Sequence, residues 1–316
     1  LDTDINGIIN LRKSAKYTSH DCVAVIRKLF GVKKAGHTGT LDPMAEGVLP
    51  VCLGKATRII EYMDNDLKEY RCTMKLGVET DTQDVWGSIL CEYPLKDITE
   101  RSIRDAVLSF RGITDQIPPK YSALKVKGKR LYKYAREGLE VEIKPRSINI
   151  EDIIIDDIMI EADEEGKVEK AEVIFTVNCC KGTYIRTLCH DIGRKLGCGA
   201  AMSGLTRTVN GIFCIEDAVS LQELESMSEM ERIGKLLPMD HSLSGLEVIW
   251  LDDKRAGDFV NGREIRDFTA TQNIEDKSKM ENSKKRFRVY SGNTFLGIAG
   301  IEGNELRPEK VLCTKI

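Results

Sequence analysis

The chain has little that would staple it, span a bilayer or hold a metal. Its ten cysteines include no C-x-x-C pair, so neither a zinc ribbon nor a thioredoxin-like motif is written in it. Histidine is scarce: there are four, none at ligand spacing with another, and no metal or other cofactor is expected. The longest run without a charged residue, Val289 to Ile301, has 13 members and is broken by Ser, Asn, Thr and Gly. A spanning helix needs about 20 apolar residues, so no membrane segment or membrane partner is expected. No basic-then-apolar leader opens the chain, and reduced thiols in a cytoplasmic protein are the simplest expectation.

What is present is a globular profile of 316 residues, 41% hydrophobic and 31% charged, enough for one large domain and a small one. The net charge of −3 conceals a polarity. Residues 101–150 carry twelve Lys/Arg against five Asp/Glu, whereas 151–200 carry six against eleven. The sharpest stretch, Pro118 to Arg136, holds seven basic residues (Lys125 among them), three tyrosines and no acid. Basic residues neutralise phosphates and tyrosine rings stack on bases, a combination suited to RNA. Unrelieved positive charge without internal partners also predicts a segment that is mobile until something anionic arrives.

Periodicity predicts a strand at Gly7–Leu11 and a helix capped by Thr18-Ser19 that runs to Leu29. A glycine-punctuated loop over Gly31–Val48 precedes a helix at Lys55–Met63 and a half-buried strand at Tyr70–Leu76, which ends in a polar turn, Glu79–Asp84. A helix capped by Thr99 reaches Phe110, and the β-branched runs Ile148–Ile160 and Val173–Cys180 are expected to pair. Thr183–Leu196 reads as a helix stopped by Gly197, and Leu221–Leu237 as one acidic helix. Beyond a boundary at Pro238, short strands at Phe287–Tyr290 and Phe295–Ile301 predict a small β-rich unit, with a polar loop at Asn273–Lys285. Strands and helices mix without βαβ periodicity, which favours α+β over a doubly wound sheet.

Two superficial motifs fail. Gly47-x6-Gly54-Lys55 has two residues too many for a phosphate-binding loop, and Ala56 stands where Ser/Thr would hold magnesium. Cys189-His190-Asp191 cannot converge as a triad, because adjacent residues on a helix point in different directions. The informative stretch is Gly36-His37-Thr38-Gly39-Thr40-Leu41-Asp42-Pro43. Its glycines permit close approach of backbone to a ligand, and Pro43 pushes Asp42 out of helical geometry, leaving a carboxylate on a stiff loop.

GHTGTLDPMAEGVLPVCLGKATR resembles the catalytic motif of the TruB family of tRNA pseudouridine synthases. The resemblance continues, in collinear order, through KEYRCTMKLGVETDTQDVWG, QIPPKYSALKVKGKRLYKYAREG, NCCKGTYIRTLCHDIGRKLGCGA and GLTRT. It implies isomerisation of a uridine in the T-loop of tRNA (position 55 in tRNA numbering) to pseudouridine, with no cofactor, since every substrate atom is retained. It also implies an α+β fold: a mixed, largely antiparallel catalytic sheet over residues 1–238, an RNA-gripping insertion near 117–146, and a PUA-like RNA-binding domain at 247–316. The partner implied is the tRNA T-arm, with a monomer acting without an obligate protein partner.

The same resemblance assigns roles residue by residue. Asp42 matches the nucleophile, Arg186 the arginine paired with it, and Tyr70 the aromatic that stacks on the target base. Asp42 would attack either the uracil ring or the ribose. Tyr184 and Leu205 match residues lining the uracil pocket, and Asp84 a further acid near the site. His37 matches the histidine that fills the space left by the flipped uridine. Lys13 and Lys125 complete the RNA-contacting candidates. The family pattern Lys-Pro-x-Gly is here Lys13-Ser14-Ala15-Lys16, so a different local turn is expected. Two relatives of this reading are a guide-RNA-dependent pseudouridine synthase and a tRNA-folding chaperone.

Overall fold

The computed structural model describes residues 5–63, 66–266, 268 and 285–313. Strand β1 (Gly7–Lys13) has six of its seven residues buried. Helix α1 (Ser19–Leu29) starts at Thr18, whose hydroxyl accepts from Asp21 N while the Asp21 carboxylate takes the Thr18 N–H. The stretch expected to be loop instead contains β2 (Ala35–His37) and the start of β3 (Glu46–Leu53), which pair antiparallel. In β3 seven consecutive residues are buried, so it shows none of the alternation by which strands are read. The helix expected at Lys55–Met63 is a 3₁₀ helix, Gly54–Tyr62.

Strand β4 (Leu67–Leu76) buries Tyr70, Cys72, Met74 and Leu76 in strict alternation. The expected polar turn is partly strand: β5 (Val78–Thr80) pairs with β6 (Ile89–Glu92). Helix α2 (Glu100–Leu108) is capped by Thr99, and β7 (Gly112–Gln116) follows. The basic stretch folds as a hairpin, β8 (Lys125–Val126) with β9 (Lys129–Arg130), and a short helix α3 (Leu131–Arg136). Its charges do find internal partners, against expectation. Lys129 pairs with Glu137, and the Arg130 and Arg136 guanidinium carbons lie 6.0 and 5.5 Å from the Tyr132 ring centroid.

Strands β10 (Arg146–Ala162) and β11 (Val168–Cys180) form a long antiparallel pair, and α4 (Ile185–Leu196) ends at Gly197 with φ 75°. Strand β12 (Ala200–Asn210) was not read from the sequence; β13 (Phe213–Cys214) and β14 (Val219–Ser220) follow. The expected single acidic helix is two, α5 (Leu221–Ser226) and α6 (Glu229–Gly234). Met227 is extended, and Ser228 opens a new capping box with Glu231.

The large sheet has the order β14-β1-β3-β12-β4-β11-β10-β7. Only β1–β14 and β3–β12 are parallel along this path, so the sheet is mixed and largely antiparallel. Helices α1, α2 and α4 cover one face, and Ile26, Ile103 and Ile192 join Leu49, Met74 and Phe175 in one core. A second sheet, β15 (Glu247–Trp250) with three further strands, packs on α7 (Asp253–Val260), a helix the sequence reading lacked. Those strands are β16 (Arg286–Ser291), β17 (Thr294–Glu302) and β18 (Glu305–Val311). Ile8, Ile59, Phe213, Ile298 and Leu312 share a cluster that joins the two sheets. Of the expected polar loop Asn273–Lys285, all but Lys285 lies outside the described residues. Among the described residues no helix is long and apolar enough to cross a membrane.

Candidate active site

Strands β12 and β4, in the middle of the large sheet, carry the cleft, and the loop between β2 and β3 borders it. Every turn of that loop is tied down. Asn210 Nδ2 donates to the Thr38 carbonyl at 2.9 Å, and the Leu41 N–H donates to Ser19 Oγ at 2.9 Å, whose own proton goes to the Leu41 carbonyl. Lys13, fully buried, donates from Nζ to the carbonyls of Ser14 (3.0 Å), Pro43 (3.1 Å) and Ala45 (2.6 Å). The Lys16 N–H reaches the Pro43 carbonyl as well, at 2.9 Å. Lys13 is therefore a buried support of the loop with all three ammonium protons spent on its carbonyls and none left for RNA, which corrects its place among the RNA-contacting candidates. Lys16 takes φ 71°, the left-handed conformation that glycine adopts without strain, so the turn forms without the glycine of the family pattern.

Asp42 emerges from this scaffold with its side chain 39% exposed, against 6% for Arg186. Arg186 Nε lies 2.9 Å from Asp42 Oδ2, and Nη2 lies 3.3 Å from Oδ1: a fork meeting a carboxylate edge on. The rest of the guanidinium donates to the carbonyls of Thr82 (2.9 Å) and Tyr121 (3.0 Å), so it can take only one orientation. Helix α4 is itself clamped where Arg186 leaves it. Gln116 accepts from the Tyr184 N–H at 2.8 Å and donates to the Tyr184 carbonyl at 3.0 Å. Asp84 Oδ2 stands 3.7 Å from Arg186 Nη1; burial pushes its carboxyl up, opposed by the Thr82 hydroxyl and Arg186.

These groups open into a cleft of about 660 Å³, lined among others by Asp42, Tyr70, Asp84, Tyr184, Arg186 and Leu205. The structure thus gathers six residues singled out in the sequence. Tyr70 is buried on β4; burial pushes its phenol above the ordinary value, opposed chiefly by the Arg207 guanidinium. His37 does not line the cleft; His20 does, and the two rings meet edge to face at 5.5 Å. Burial first, then the neighbouring His20, hold the His37 imidazole down at about 4, so it is neutral near pH 7. Lys125 is exposed on β8 and also outside the lining, where Tyr121, Ser122, Ala123, Arg130, Tyr132 and Arg136 represent the insertion. The sequence reading missed Lys68, Trp86, Tyr121 and His20 on the walls, and Gln116 and Arg207 behind them. A period-two reading could have found two of these: Lys68 precedes Tyr70 by two on β4, and Arg207 follows Leu205 by two on β12. Among the described residues no three His, Cys, Asp or Glu side chains are grouped to hold a metal ion.

Three family models cover the chain in succession. The TruB family pseudouridylate synthase N-terminal domain matches residues 27–185. The tRNA pseudouridylate synthase B C-terminal domain matches 186–244, and the C-terminal model of pseudouridine synthase II TruB matches 248–312. The tRNA pseudouridine synthase B of Clostridium tetani is 44% identical over 93% of this chain and 95% of its own. The chain belongs to the TruB family. The tRNA pseudouridine synthase B of Alkaliphilus oremlandii is 42% identical over 98% of this chain and 97% of its own. Among solved structures, the crystal structure of a Cbf5-Nop10-Gar1 complex contains a chain similar at a TM-score of 0.68. That likeness carries 26% identity and covers 97% of this chain and 85% of the other. As a TruB-family protein this one is a tRNA pseudouridine synthase, an isomerase of the pseudouridine synthase fold.

Proposed function

We propose that this TruB-family enzyme acts on the T-loop uridine at position 55 of tRNA, drawn out of its stack into the cleft and attacked by Asp42. The observation that carries the reading is the Asp42–Arg186 pair: a half-exposed carboxylate at a cleft wall, held edge on by a buried guanidinium. An ionised aspartate has no proton to lose before it attacks, and a target atom inside a stacked loop is out of reach until the nucleotide is extruded. In the reaction the C1′–N1 bond breaks, the uracil rotates, and a C1′–C5 bond forms. The C5 proton is lost and N1 gains one, so atoms and electrons balance without any added reagent.

Tyr70 supplies an aromatic face for the uracil, while Tyr184 and Leu205 line the same pocket. Asp84 shares Arg186 with Asp42 and helps to keep the guanidinium aligned. His37, set behind the cleft-lining His20 and edge to face with it, moves in to fill the gap in the RNA stack. The basic insertion and the C-terminal sheet, a PUA-like RNA-binding domain over 247–316, hold the arm. Residues 1–238 form the catalytic unit, acting as a monomer with neither guide RNA nor partner protein.

The test is an unmodified tRNA transcript incubated with the protein alone, with pseudouridine mapped by chemical adduct and primer stop. One stop at the T-loop uridine is expected. Asp42→Asn is expected to lower single-turnover conversion by about 10³-fold or more while retaining tRNA binding. Conversion only when a guide RNA or a second protein is added would overturn the stand-alone reading. Full conversion by Asp42→Asn would remove the nucleophile, and RNA refolding without any conversion would leave a chaperone.

A further inference from the structure

Lys68 lines the cleft two residues before Tyr70, on the same face of β4 and about 7 Å along the strand. Its backbone pairs with the neighbouring strands, but among the described residues its ammonium makes no hydrogen bond or ion pair. Burial first, then repulsion from Arg207, bring its ammonium down to about 8. Arg207 sits on β12 directly opposite Tyr70 and is fully buried. Its Nε donates to the Val48 carbonyl at 2.8 Å and its Nη2 to the Gly39 carbonyl at 3.2 Å; Nη1 is buried with no acceptor at hydrogen-bond distance, and the Tyr70 phenol is a further side chain that the guanidinium acts on.

Gly39 connects the two cations. A Cβ at this position would lie 3.3 Å from Lys68 Nζ and 3.7 Å from Arg207 Nη1. Glycine is suited here, since φ is 89° and a side chain would stand against the Lys68 ammonium; the residue itself is exposed. The Lys68 ammonium and one guanidinium nitrogen of Arg207, neither with a carbonyl or carboxylate to take its proton, therefore border one bare α-carbon, in the loop that carries Asp42. Like charges held together in a partly desolvated site cost free energy, and buried donors are almost always paired, so the group lacking here is an anion. The step from Tyr70 to Lys68 resembles the offset between a nucleotide's base and its phosphate.

We propose that Lys68, Arg207 Nη1 and the bare face of Gly39 form a seat for one phosphodiester oxygen beside the extruded uridine. The proposal rests on the reading of the cleft as an RNA site and names the residues that fix the backbone there. Such a contact positions the nucleotide and carries no sequence information.

The test is binding of a T-arm stem-loop RNA, measured against salt, with the full-length protein. Lys68→Met is expected to weaken binding about tenfold. The slope of log affinity against log salt should fall by about 0.7–0.9, the release of one phosphate's counterion. The thermal midpoint should hold or rise, because a partly desolvated ammonium without an ion-pair partner is gone; that outcome separates a binding role from a structural one. A neutral methylphosphonate placed at each phosphate flanking the uridine in turn should, at one position, weaken the wild type and leave Lys68→Met unaffected. Arg207, Cys179, Lys181 and Asp66 all act on Lys68. Wild-type affinity should therefore fall as pH rises through about 8, and Lys68→Arg, with the same neighbours, should remove that step.

An unchanged affinity and salt slope in Lys68→Met, or a methylphosphonate effect shared equally by both proteins, would overturn the seat. Either result in a wild type that still converts the transcript leaves the function intact. A wild type that converts no uridine overturns the reading beneath it instead.

Discussion

The floor of the cleft and the basic insertion beside it use positive charge in opposite ways. On the floor Arg186 and Lys13 are buried with their donors committed to backbone carbonyls or to Asp42, and Arg207 is buried beside them, held by the Val48 and Gly39 carbonyls. In the insertion Lys125, Lys127, Arg130, Lys133 and Arg136 are exposed, and Tyr132 is what Arg130 and Arg136 rest on. Buried cations with a full set of acceptors define one geometry, because any other orientation strands a polar group. Exposed cations supply attraction that salt screens and that no single residue dominates. The floor therefore sets the chemistry, and the insertion sets how much RNA arrives.

The comparison breaks most readily at Arg186. Arg186→Gln removes both contacts to Asp42 and strands the carbonyls of Thr82 and Tyr121. We expect single-turnover conversion to fall about 10²–10³-fold, with about 2 kcal/mol of stability lost in a denaturant melt. RNA affinity should stay within a few-fold. A loss confined to affinity would place Arg186 with the insertion and undo the division.

Lys13→Met is the next largest effect and falls on stability. Three carbonyls lose a charged donor, for an expected cost of about 2–3 kcal/mol and a lower thermal midpoint. Burial lowers the Lys13 ammonium, yet these acceptors explain why it is retained. Conversion should fall with the loosened Asp42 loop while the salt slope of RNA binding stays constant. The opposite pattern, an altered slope at full stability, would return Lys13 to the RNA surface that its sequence position suggested.

The same division explains what the sequence revealed. Elements with one buried face announce themselves: β4 alternates from Tyr70 to Leu76, and α1 and α2 begin at capping residues that read directly. Strand β3 was hidden because it is buried on both faces, and β12 because its register shifts twice along β4. Asp42, Tyr70 and Arg186 were named through family motifs. That they meet depends on a contact across 144 residues, which no local pattern contains. Lys13 was misplaced for a related reason: its acceptors include carbonyls 30 and 32 residues away, and a lysine in a strand carries no mark of that. The insertion was legible as composition, but its ring–guanidinium contacts depend on how α3 returns over β9.

Changes in the insertion should be milder and graded. Lys125→Ala with Lys127→Ala removes two exposed charges that line nothing and hold nothing in place. KM should rise several-fold at moderate salt, the salt slope should fall by at most about 1–2, and kcat and the melt should not move. A changed kcat at saturating RNA would show that the insertion takes part in positioning the uridine.

The smallest effect returns to the floor and sharpens the boundary from the other side. Lys16 holds φ 71° while its N–H donates to the same Pro43 carbonyl that Lys13 reaches from below. A side chain in that conformation costs about 1 kcal/mol, which glycine avoids, although glycine also gives up more backbone entropy on folding. The first quantity is the larger when the site is fixed by hydrogen bonds, so Lys16→Gly should raise stability by about 0.5 kcal/mol. The exposed ammonium is lost in the same change, so any fall in RNA affinity should vanish at high salt while the gain in stability persists. If stability drops instead, the hydrogen bond to Pro43 depends on the lysine side chain, and this rim of the floor is held by surface contacts as the insertion is.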